Sequence, residues 1–133
     1  MLLKDLKMKQ TKNKLPKVFK KKWIAALRNG KFKQGSGRLC DPKTNEYCCL
    51  GVGAIIGGLK TKEISFCPEK LYQKDDNYCL VLDKYSLGFD PVKRKIPKVI
   101  CGNSKNPIVS RLVDMNDSGK NFNDIADWIE ENL

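Results

Sequence analysis

The apolar positions of this chain change period several times along its length. From Pro16 onward, Val18, Phe19, Trp23, Ala26 and Leu27 recur at helical spacing. Pro16 suits the first turn of that helix, and Asn29-Gly30 predicts its end, with Gly30 as a left-handed cap. Residues Lys31 to Gly37 read as a loop of Lys, Gln and Gly. Arg38 to Cys40 and Glu46 to Cys48 read as short strands joined by the turn Asp41-Pro42-Lys43-Thr44-Asn45. Cys49 to Ile56 fits a buried strand or a short helix. Val52, Ile55 and Ile56 favour the helix, packed closely through Gly51 and Gly53.

Further on, Ile64 to Cys67 and Tyr78 to Asp83 are strand candidates, separated by a polar loop, Glu69 to Asn77. Leu87 to Lys98 carries Pro91 and Pro97 and reads as irregular. Asn106-Pro107 marks a turn, Ile108 to Met115 fits a helix or a strand, and Asn116-Asp117-Ser118-Gly119 reads as another turn. The last segment is a helix with Phe122, Ile125, Ile129 and Leu133 on one face, capped by Asn121 with Asp124 in capping-box position. Glu130 and Glu131 oppose the dipole at its end. The fold class expected is α+β. It has a small antiparallel sheet, an N-terminal helix, a short glycine-rich central helix and a C-terminal amphipathic helix.

A chain of 133 residues suits one domain. Charge refines that to a basic flexible arm over 1–15 and a single α+β domain over 16–133. Thirteen of the 26 Lys and Arg, but only Asp5 of the 15 acids, lie in residues 1–40. The remainder is almost neutral, and the last helix is acidic. A lysine arm is suited to phosphate neutralisation, or it is a solvated tail. It holds few arginines and aromatics, which base-reading modules use. Attraction between the basic and acidic ends within a dimer is a third reading. No apolar run approaches the ~20 residues that span a bilayer. Met1 to Lys22 lacks the apolar core of a secretion signal. The expected compartment is the cytoplasm, with no membrane partner.

The chain has no histidine. Ser-His-Asp and Cys-His catalysis and histidine-ligated metals are thereby excluded within it. The expectation is a protein that is not an enzyme, although carboxylates such as Asp114 and Asp117 leave a histidine-free route open. Six cysteines, Cys40, Cys48, Cys49, Cys67, Cys79 and Cys101, form no C-x-x-C pair. In a reducing compartment they are expected as buried thiols, not disulfides. No metal and no cofactor is expected.

The residues suited to binding are polar and basic. Arg28, Lys31, Lys33, Gln34 and Arg38 surround Gly35-Ser36-Gly37, whose backbone N–H groups could cradle an anion. The loop lacks the spacing of a P-loop. Asn116 and Asp117 could accept hydrogen bonds from a ribose or a base edge, with Arg111 six residues before Asp117; the local turn preference of Asx residues favours the other reading, in which Asn116, Asp117 and Gly119 merely build the turn.

Three segments together carry a resemblance: Trp23 to Gln34 (WIAALRNGKFKQ), Tyr47 to Val52 (YCCLGV) and Met115 to Glu130 (MNDSGKNFNDIADWIE). In this order and at these separations they resemble a family of small accessory proteins of bacteriophages and prophages. The likeness spans about residues 22–133; the stretch Lys60 to Lys98 departs most. It supplies no catalytic residues. It implies a phage-encoded, anti-defence protein in the cytoplasm of an infected host. The expected function is sequestration of a phosphate-bearing small molecule, such as a cyclic nucleotide immune signal, as a molecular sponge. The alternative is a protein inhibitor of a host factor, or a nucleic-acid-associated protein using Lys4 to Lys22. A homo-oligomer is the default assembly.

Overall fold

The computed structural model describes residues 15–65 and 81–133. Along the chain lie α1 (Lys17–Arg28), β1 (Lys33–Gln34), β2 (Cys40–Asp41), β3 (Glu46–Tyr47), α2 (Cys49–Ile56), α3 (Thr61–Ser65) and α4 (Lys84–Leu87). Two 3₁₀ turns, Pro91–Arg94 and Lys98–Ile100, lead to α5 (Pro107–Asp117) and α6 (Phe122–Asn132). The class is α+β, dominated by helix. The sheet has the order β1-β3-β2. It is mixed and not antiparallel, because β1 runs parallel to β3 while β2 runs antiparallel. The reason lies in Lys33 and Gln34, expected in a loop: they pair with Glu46 and Tyr47 and add a third strand.

The core is built around α2. Its residues Cys49 to Ala54 are all buried, as expected of a helix apolar on every side. Glycine permits this packing. A Cβ at Gly51 would overlap the Leu39 carbonyl oxygen, and one at Gly53 would press on the Trp23 indole at 3.2 Å. Trp23 is fully buried, and its indole N–H donates to the Cys49 carbonyl at 3.0 Å. That bond satisfies the one polar atom of a large apolar side chain. Helix α1 buries Trp23, Ala26 and Leu27 against α2 and α6. Helix α6 returns Phe122, Ile125, Ala126 and Ile129 to the same core. The expected cap of α6 is present: the Asn121 side chain accepts from the Asp124 backbone N–H at 2.8 Å.

Several boundaries differ from expectation. Leu15 is buried, so the domain begins inside the segment assigned to the arm; residues 1–14 lie outside the described residues. Ile64 belongs to helix α3 and not to a strand, and Phe66-Cys67 lie outside the described residues. Of the Tyr78 to Asp83 candidate, residues 78–80 also lie outside, and Leu82 makes only an isolated bridge with Cys101. The polar loop Glu69 to Asn77 lies outside as well. Asn116 and Asp117 form the last turn of α5 and not a loop; the turn itself rests on Gly119, at φ +101°. No helix among the described residues is long and apolar enough to cross a membrane.

Candidate functional site

Asn116 is one of only two polar residues buried among those described. A carboxamide taken out of water needs partners on both its ends. Its Oδ1 accepts from the Cys49 backbone N–H and from Gln34 Nε2, each at 3.1 Å. Its Nδ2 donates to the Gly35 carbonyl at 2.7 Å and, more weakly, to Asp117 Oδ1 at 3.3 Å. Gln34 also donates to the Lys120 carbonyl at 2.8 Å. The Gly37 N–H donates to Asp117 Oδ1 at 3.2 Å. One buried side chain therefore ties the Gln34–Gly37 loop to the start of α2 and to the α5–α6 turn.

This knot is the floor of an open cleft of about 480 Å³. Gln34, Gly35 and Ser36 form one wall, with Glu46 on β3; Asn116, Asp117 and Gly119 to Asn121 form the other. Gly35 must be glycine for the loop to lie against β3, since a Cβ there would stand 2.6 Å from Glu46 Cβ. The lining residues are polar and of mixed sign, with Glu46 and Asp117 against Lys120. Lys33 sits beside it, its Nζ 3.8 Å from Glu46 Oε2.

The structure brings together three of the expected site residues, Gln34, Asn116 and Asp117, with Lys33 at their edge. It separates the others. Arg28 turns away to α6, where one guanidinium nitrogen lies 2.9 Å from both Asp127 and Glu130. Lys31 is exposed and does not line the cleft, and Arg111 is exposed on α5. Arg38 is half-buried, outside the lining, with its Nε lacking a hydrogen-bond partner. Two of the three N–H groups expected to cradle an anion are already engaged. The Gly35 N–H donates to the Tyr47 carbonyl at 2.8 Å, and Asp117 already occupies the Gly37 N–H. The N-terminus of α2 is similarly closed: Cys49 N–H binds Asn116, and Gly51 N–H binds the Cys48 sulfur at 3.4 Å. Glu46, Lys120 and Asn121 were not anticipated. Glu46 could have been found only through the parallel register that sets it opposite Lys33.

The cleft offers acceptors for hydroxyl or amino groups and an ammonium for an anionic group. It offers no reactive thiol. Cys48 and Cys49 lie beneath it, and burial pushes the Cys48 thiol up to about 12 and raises Cys49 well above its ordinary range. Both therefore stay protonated near neutral pH, and protonated thiols are poor nucleophiles. All four cysteines among the described residues are unpaired thiols. No cluster of three or more metal-ligating side chains occurs among those residues.

Residues 15–133 match the model of a protein family described as a domain of unknown function, DUF8296. No curated protein and no solved structure matches the chain.

Proposed function

The chain belongs to the DUF8296 family, and from that premise we propose that it is a non-enzymatic binding protein whose cleft captures a nucleotide-like small molecule. The observation that supports this reading is the Asn116 knot, which spends a buried side chain on shaping a polar cleft instead of filling the core. Asp117 and Glu46 accept from ribose hydroxyls or base amino groups, and Lys120, with Lys33 beside it, faces the phosphate. This division of labour replaces an all-basic cradle. It suits a ligand with both donors and negative charge, as a cyclic nucleotide has. The resemblance to phage accessory proteins supports the cytoplasm of an infected cell as the setting of this reading, where holding a signal would blunt host defence.

Isothermal titration against a panel of linear and cyclic nucleotides tests the proposal. Asp117→Ala and Lys120→Ala should each weaken binding by about tenfold, the cost of one charged hydrogen bond. Arg28→Ala should leave it unchanged. Absence of heat with every nucleotide, or equal loss from Arg28→Ala, would defeat the reading.

A further inference from the structure

Helix α1 divides its cations between two uses. Lys20 donates to the Glu130 carbonyl at 3.1 Å, and Arg28 pairs with Asp127 and Glu130. Those two are committed to the acidic helix α6. Lys17, Lys21 and Lys22 are exposed and make no ion pair among the described residues. With 3.6 residues per turn, these three lysines fall within roughly 140° of arc. Within that arc also lie Ala25, small and exposed, Val18, 67% exposed, and, at the far end of the helix, Arg28, which is held by α6.

We propose that this lysine face of α1 is a docking surface for the phosphate backbone of duplex nucleic acid, separate from the cleft. Its chemistry is that of a counterion. It has several ammonium groups at regular spacing, no arginine fork for a guanine edge and no exposed ring to stack on a base, so it contacts phosphates without reading sequence. The acids of α6, Asp124, Asp127, Glu130 and Glu131, lie on the helix packed beside α1 and repel phosphate from that side, so the duplex is held to one face. A membrane suits this face less well. Of the apolar residues of α1, Trp23, Ala26 and Leu27 are buried in the core and Phe19 and Ile24 pack against it, leaving only Val18 and the small Ala25 to enter a bilayer.

The test is fluorescence anisotropy of a labelled random-sequence duplex of roughly 20 base pairs with the full chain, between about 50 and 200 mM salt. The Lys17→Gln/Lys21→Gln/Lys22→Gln variant should bind at least about tenfold more weakly at low salt, and its salt slope should be shallower by up to about 3. A variant with the same loss of charge elsewhere, Lys43→Gln/Lys93→Gln/Lys105→Gln, should stay within about twofold of the parent. All six positions are exposed, so both variants should melt like the parent. The proposal is overturned if the parent does not bind the duplex at low salt, or if the two variants lose equally. It is also overturned if phosphatidylserine vesicles bind as tightly and depend on the same three lysines.

Discussion

Asn116 commits both ends of its carboxamide to backbone partners with no other hydrogen bond among the described residues. The Cys49 N–H belongs to the first turn of α2, where a helix leaves its donors unsatisfied. The Gly35 carbonyl faces inward from the loop. Asn116→Ala strands the buried Cys49 N–H and leaves the half-buried Gly35 carbonyl to water, at a cost of about 1–3 kcal/mol. Urea denaturation should show that loss, and titration should show ligand binding weakened in the same variant, because the Gln34–Gly37 wall loses its tether. Asp117→Ala differs: its side chain is exposed, so it should lose binding with little stability. That contrast separates the residue that builds the cleft from the one that faces the ligand.

At the scale of elements, two ion-pair contacts bridge parts of the chain distant in sequence. Arg28 joins α1 to α6 through carboxylates that are 62% and 65% exposed, while Arg28 itself is 37% exposed. Solvent screens such a contact, so Arg28→Ala should cost less than about 1 kcal/mol in a thermal melt. The contact also relieves Glu130 of its unfavourable place near the α6 C-terminus. Arg94, stacked on Phe89 at 5.0 Å, grips both oxygens of Glu63 at 2.8 and 3.1 Å and so ties α3 to the first 3₁₀ turn. Hydrogen bonds from Arg94, and then from the Lys60 backbone N–H, hold the Glu63 carboxyl below its ordinary value. A depressed carboxylate stabilises the fold above the usual Glu range, about 4.3, and loses that contribution as pH falls through the lowered value. Glu63→Gln should therefore melt about 2–4 °C lower at neutral pH, and the gap should close as pH falls through the lowered value. Much of the helical framework could be read from the sequence, because α1 and α6 carry period and caps over eleven or twelve residues. Strand β1 could not: two residues show no alternation, and their pairing is set by the distant Glu46 and Tyr47. The cleft was half legible for the same reason. Gln34, Asn116 and Asp117 stand out as polar residues beside turns, whereas Lys120 and Glu46 join them only through tertiary packing. Arg28 misled because its acidic partner, Glu130, is 102 residues away.

Over the whole molecule, charge is sorted by face. The excess of positive charge in the first forty residues is partly absorbed by α6 within the same chain, so the attraction between the two ends needs no second copy to satisfy it. What remains is an uncommitted lysine face on one side and a cleft of mixed sign elsewhere, two surfaces suited to different ligands. The contact between α1 and α6 also bears on synthesis. A ribosome adding roughly 5–20 residues per second completes α6 on the order of 5–20 s after it has made α1. Through that interval the indole of Trp23 and the side chain of Leu27 wait without their final cover. The nascent chain thus holds its first helix in reserve until α6 has been made.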